Sequence, residues 1–132
     1  MITEEHLRSL MFGDYMDPDA FAEDRRYEEV KDINRLYPIA EHYLNDFNSS
    51  NKNKMNLVIF RYVLEHLSRI SRILRSPGGN ALLVGVGGSG RQSLTRLAAS
   101  MAGYHIFQPE ISKNYGMPEW REDLKVGLAF KT

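Results

Sequence analysis

The stretch Ala81-Leu82-Leu83-Val84-Gly85-Val86-Gly87-Gly88-Ser89-Gly90-Arg91-Gln92-Ser93-Leu94 decides the fold. It opens on a short, continuous apolar run, the pattern of a strand buried on both faces, and so predicts a parallel sheet. It closes on Leu94, which with Leu97, Ala98 and Met101 marks the apolar face of a helix. Gly103 then stands where a left-handed helix cap is usual. Between strand and helix, Gly85, Gly87, Gly88 and Gly90 leave backbone amides uncovered by side chains. The helix start adds unpaired N–H groups and the positive end of its dipole, so an anion such as phosphate is the expected ligand. A plain tight turn, with the loop empty and the chain a structural spacer, is the competing reading.

Outward from this stretch, His105-Ile106-Phe107 reads as a second strand, which completes a strand-loop-helix-strand unit. A further helix is expected past Pro118, through Trp120 and Leu124. Upstream, Phe60, Val63, Leu64, Leu67, Ile70 and Leu74 form one apolar stripe and predict a helix over 55–75, stopped by Ser76-Pro77-Gly78-Gly79. Arg61, Glu65, Ser68, Arg69 and Arg72 fall on its opposite, solvated face. Asn48-Ser49-Ser50-Asn51-Lys52-Asn53-Lys54 is a polar connection and the best internal boundary, dividing a helical, loop-rich leader (1–54) from the glycine-loop unit (55–132). Within the leader, Asp17-Pro18 predicts a short helix through Phe21. Val30, Ile33, Leu36, Ala40, Leu44 and Phe47 recur at helical spacing, with Pro38 expected to kink or divide that helix.

The 132 residues, 42% of them apolar, suffice for one modest core. Lys plus Arg and Asp plus Glu number 17 each, so no net field draws the chain to nucleic acid or an anionic membrane. No apolar run approaches the length of a membrane span, and the start lacks a signal-peptide pattern. The absence of cysteine excludes disulfides and thiolate chemistry and fits a reducing compartment. His6, His42, His66 and His105 show no metal-ligand spacing. Asp14, Asp17 and Asp19 lack the glycine and distal glutamate of a calcium loop. Ser89 sits in Gly87-Gly88-Ser89-Gly90, one residue short of a nucleophile elbow. Tyr37, Tyr43, Phe60 and Tyr62 lie on helical stripes, where core packing is the expectation.

Two phosphate-binding patterns overlap on the glycine loop. G-x-x-x-x-G-K-[ST] is met at Gly85 and Gly90, but Arg91 replaces its lysine and Gln92 its hydroxyl residue. The dinucleotide fingerprint G-x-G-x-x-G is met at Gly85, Gly87 and Gly90, with Glu110 placed to hold a ribose of NAD in a Rossmann-like fragment.

A longer likeness separates them. Gly79-Asn80 through Leu97-Ala98, together with Leu57-Val58-Ile59-Phe60, Glu65-His66-Leu67-Ser68-Arg69-Ile70, Glu110-Ile111-Ser112-Lys113-Asn114-Tyr115-Gly116 and Trp120-Arg121-Glu122-Asp123-Leu124-Lys125, closely resembles the fourth AAA+ module of axonemal dynein heavy chains. The Arg-Gln-Ser variant of the loop is part of that likeness. The resemblance implies an α/β fold, an incomplete P-loop NTPase (AAA+) unit whose helical leader forms the junction with the preceding module. It implies ATP or ADP as ligand, held by Gly85, Val86, Gly87, Gly88, Ser89, Gly90, Arg91, Gln92 and Ser93. Tyr27-Glu28-Glu29-Val30-Lys31-Asp32 resembles the stretch that runs past the adenine, with Val30 packed on the base.

Arg91 keeps the positive charge of the usual lysine in a planar, forked form. Gln92 departs further, because the missing hydroxyl normally completes the Mg²⁺ shell, and so leaves Mg²⁺ open. No Walker B aspartate or sensor element falls within the chain, so binding without turnover is expected. The tail 126–132 leaves the family pattern. The implied partners are the other modules of the heavy chain and subunits of the dynein complex, with microtubules engaged only indirectly. The implied location is the cytoplasm, cytoskeleton and axoneme of the cilium, where the module's nucleotide state tunes the main hydrolytic site.

Overall fold

A computed structural model describes residues 1–129. It contains α1 (Glu4–Ser9), β1 (Phe12–Gly13), β2 (Glu28–Glu29), α2 (Ile33–Ser50), α3 (Arg61–Arg75), α4 (Arg91–Met101) and α5 (Met117–Ala129). The architecture is therefore helical, with one small sheet in which β1 pairs antiparallel to β2, Phe12 opposite Glu29 and Gly13 opposite Glu28.

The parallel strand pair expected of residues 81–84 and 105–107 is not formed among the described residues. Leu82 is 89% exposed and Val84 83% exposed. An apolar run supplies the wish to be buried, but a strand exists only through the backbone partners beside it, and no described segment donates to or accepts from a ladder here.

Three of the helices carry the core. Leu64 and Leu67 of α3 pack with Leu97 and Ala98 of α4, each 0–1% exposed. Burying a leucine fully contributes about 1.5–3 kcal/mol, so this seam outweighs any single polar contact in the chain. Leu36, Ala40 and Tyr43 of α2 close the same cluster, as do Met11, Tyr15 and Val30 of the leader. Leader and glycine-loop unit thus share one core.

Several elements begin elsewhere than their periodicity suggests. Residues 55–60 form no regular element, Phe60 is extended, and α3 starts only at Arg61. The Asn48 side chain explains this: it accepts from the Met55 amide at 2.6 Å and donates to the Met55 carbonyl at 3.0 Å, so it replaces helical bonds there. Phe60 and Tyr62, expected in the core, are about half exposed, at 52% and 57%. Pro38 neither divides nor ends α2, because in its second turn the missing N–H forfeits only the bond to the Asn34 carbonyl. The short helix expected at Pro18 is a turn: Asp17 caps the Asp19 amide at 3.2 Å, yet only Ala20 closes back on it. Helix α1 forms instead near the start, where Thr3 and His6 build a reciprocal capping box. Helix α5 runs on through Val126 to Ala129, and the rest of the tail, 130–132, lies outside the described residues.

Candidate functional site

Residues 85–90 connect the extended run to α4, as the glycine pattern requires. Gly88 and Gly90 take φ of 77° and 78°, the left-handed region that glycine enters without a Cβ clash. Gly90 is the N-cap residue of α4 and, lacking a side chain, leaves the first turn uncapped. Its carbonyl accepts the Leu94 amide at 2.8 Å, and the Ser89 amide closes on the Val86 carbonyl at 3.3 Å. The amides of Gly87, Gly88, Gly90, Arg91, Gln92 and Ser93 donate to no acceptor among the described residues. Such clustered, unpaired donors at a helix start favour an oxyanion.

Arg91 folds back over this turn. Its guanidinium donates to the Leu83 carbonyl at 3.4 Å and the Val86 carbonyl at 3.3 Å, both long for an N–H···O bond. Ser89 joins it above Gly85: a Cβ built on Gly85 would lie 2.9 Å from Ser89 Oγ and 3.5 Å from Arg91 Cδ. A side chain at 85 would push the Ser89 hydroxyl aside. Gln92 is exposed and Ser93 half-buried. Thr95, a turn further on, donates its hydroxyl to the Arg91 carbonyl at 2.8 Å and stays with its own helix.

The far end of α4 is finished by opposite chemistry. Gly103 has φ 73°, and the Tyr104 amide returns to the Ala99 carbonyl at 2.8 Å. Arg25 donates to the Met101 carbonyl, so a leader cation meets the negative end of the helix dipole.

Two residues singled out from the sequence are not brought into the loop's hydrogen bonds. Val30 is 7% exposed in the core, and its amide donates to the Met11 carbonyl at 2.7 Å. Glu110 is exposed and lines a cavity of about 600 Å³ with Phe47, Asn51, Arg96 and Tyr104, away from the glycines. Leu57, quoted above only for the family resemblance, lies beside the loop: its Cδ1 is 4.0 Å from a Cβ built on Gly90. Among the described residues no group of three or more His, Asp or Glu side chains is arranged to hold a metal ion, and no helix is long and apolar enough to cross a membrane.

Residues 55–130 match the family model of the P-loop containing dynein motor region D4. Dynein axonemal heavy chain 12 of Homo sapiens is 64% identical over 128 residues, which cover 97% of this chain and 4% of that protein. The Mus musculus protein of the same name is 64% identical over 124 residues, 94% of this chain and 4% of its own length. Dynein axonemal heavy chain 3 of Homo sapiens is 46% identical over 136 residues, covering 99% and 3% respectively. The chain thus spans about 4% of the length of the heavy chain 12 relatives. These likenesses do not favour the dinucleotide alternative built on Glu110.

Proposed function

The chain belongs to the axonemal dynein heavy chains, as a segment of their D4 motor region, and on that premise we propose that it binds an adenine nucleotide and serves the motor as a regulatory, non-hydrolytic element. The observation that carries the proposal is the run of unpaired amides at Gly87, Gly88, Gly90, Arg91, Gln92 and Ser93 beside a guanidinium held only by long bonds. Backbone donors supply a cradle for phosphate oxygens, and Arg91 supplies charge.

In this reading residues 81–84 become a strand of an incomplete P-loop (AAA+) sheet once neighbouring segments of the motor lie beside them. Leu82 and Val84, bare here, then find cover. Residues 1–54 form the junction with the preceding module, and Val30 lies near the adenine. ATP or ADP is the ligand. Other modules of the heavy chain and subunits of the dynein complex are the partners, microtubules are reached through them, and the setting is the cytoskeleton of the ciliary axoneme. Hydrolysis by this chain alone is not part of the proposal, because among the described residues no carboxylate stands in the loop's hydrogen-bond network to hold a metal or orient water.

Titration of the 132-residue chain with fluorescent ADP, ATP and NAD analogues tests the proposal. Saturable binding of the adenine nucleotides, competed by unlabelled ADP, is expected. A preference for NAD that Glu110→Ala abolishes, or silence with every ligand, would overturn it.

A further inference from the structure

We propose that the loop takes its nucleotide without a divalent metal, with the Arg91 guanidinium as its one cationic partner, and that its ligand class is a nucleoside diphosphate. The proposal rests on the nucleotide-binding reading above.

The donor set does not fit Mg²⁺. That ion holds near-ideal octahedral geometry at short distances and normally takes a hydroxyl from the residue after the loop's cation. Here that residue is Gln92, exposed, whose amide oxygen stands two carbons farther from the backbone than a serine or threonine hydroxyl would. Ser93 lies the next position round the helix, a rotation of about 100°. The Thr95 hydroxyl is engaged by the Arg91 carbonyl at 2.8 Å. No cluster of carboxylates or histidines able to hold a metal ion occurs among the described residues.

One positive charge is present at the loop without a metal. Arg91 carries it on a side chain whose two bonds, to Leu83 and Val86, are long enough to be exchanged for shorter, charge-assisted bonds to phosphate. One guanidinium offsets only part of a diphosphate's charge, and the neutral amides solvate the rest. The terminal phosphate of a triphosphate calls for a further cation, and the next arginine along α4, Arg96, is engaged with Gln108 at 2.9 Å.

Binding of fluorescent ADP to the 132-residue chain, measured in excess EDTA and in excess Mg²⁺, tests this. The two dissociation constants are expected to agree within about threefold, and ADP in EDTA is expected to bind at least as tightly as ATP in Mg²⁺. Arg91→Ala should weaken ADP binding in EDTA by about tenfold or more, the scale of a lost charge-assisted bond, while Arg91→Lys keeps most of it. Gln92→Thr should create a preference for Mg²⁺. Helix content by circular dichroism, equal across the variants, separates binding from folding. Binding that vanishes in EDTA, or MgATP binding much tighter than metal-free ADP, overturns the metal-free diphosphate site and leaves the nucleotide site standing. Absence of binding in both buffers overturns the nucleotide site itself.

Discussion

The phenol of Tyr15 donates to the hydroxyl of Ser68, 53 positions away, and ties the leader to α3 inside the core. The donor is fixed by elimination: the Ser68 proton goes to the Leu64 carbonyl at 2.8 Å, so only Tyr15 has one to give. Tyr15→Phe keeps the ring and removes this bond. It should cost about 1 kcal/mol in urea unfolding, with an unchanged denaturant slope. Ser68→Ala, which leaves the buried phenol unpaired, should cost more, about 1–3 kcal/mol.

Burial pushes the Tyr15 hydroxyl from 10.0 up to about 12. The native state thus holds this proton where the unfolded chain has released it. Stability from the neutral phenol is complete below pH 10 and is lost as the pH climbs through about 12. Urea midpoints measured across that window should fall, and Tyr15→Phe should flatten part of the decline. Tyr43, also raised by burial, contributes in the same direction.

Asn48 holds Met55 by both its amide and its carbonyl. Asn48→Ala breaks both bonds, half-buried as they are, and should destabilise the chain by about 1–3 kcal/mol. Asn48→Asp, which can still accept from the amide but cannot donate, should fall between the two.

Leu97→Ala, at a fully buried position in the α3–α4 seam, should cost about 2–5 kcal/mol. Leu82→Ala, at 89% exposure, should change the stability of this chain by no more than about 0.5 kcal/mol. A large loss at Leu82 would show that residues 81–84 are packed after all.

The contrast between those two leucines marks how far the sequence could be read. Leu94, Leu97, Ala98 and Met101 repeat at helical spacing, and their helix and its Gly103 cap stand as expected, because both signals are local. The glycine turn was legible for the same reason: φ of 77° and 78° at Gly88 and Gly90 is a demand the residue type itself reveals. A strand at 81–84 was not decidable, since its ladder depends on segments distant in sequence. By its spacing Ser68 falls on the solvated face of α3, yet it is buried, because its partner Tyr15 comes from the leader. The late start of α3 at Arg61 hides behind apolar spacing that the Asn48–Met55 bonds override. Nor does any pattern announce that Arg91 turns back to Leu83 and Val86.

The central claim is that backbone amides of the glycine turn hold a nucleotide's phosphates, and amide chemical shifts of the ¹⁵N-labelled chain during ADP titration test it most directly. The account predicts saturable shifts concentrated at Gly87, Gly88, Gly90, Arg91, Gln92 and Ser93, with slower hydrogen exchange at those amides and little change at Gly103 or in α5. Shifts that gather around Glu110 and Tyr104 instead, with the glycine amides unmoved at saturating ADP, would contradict it.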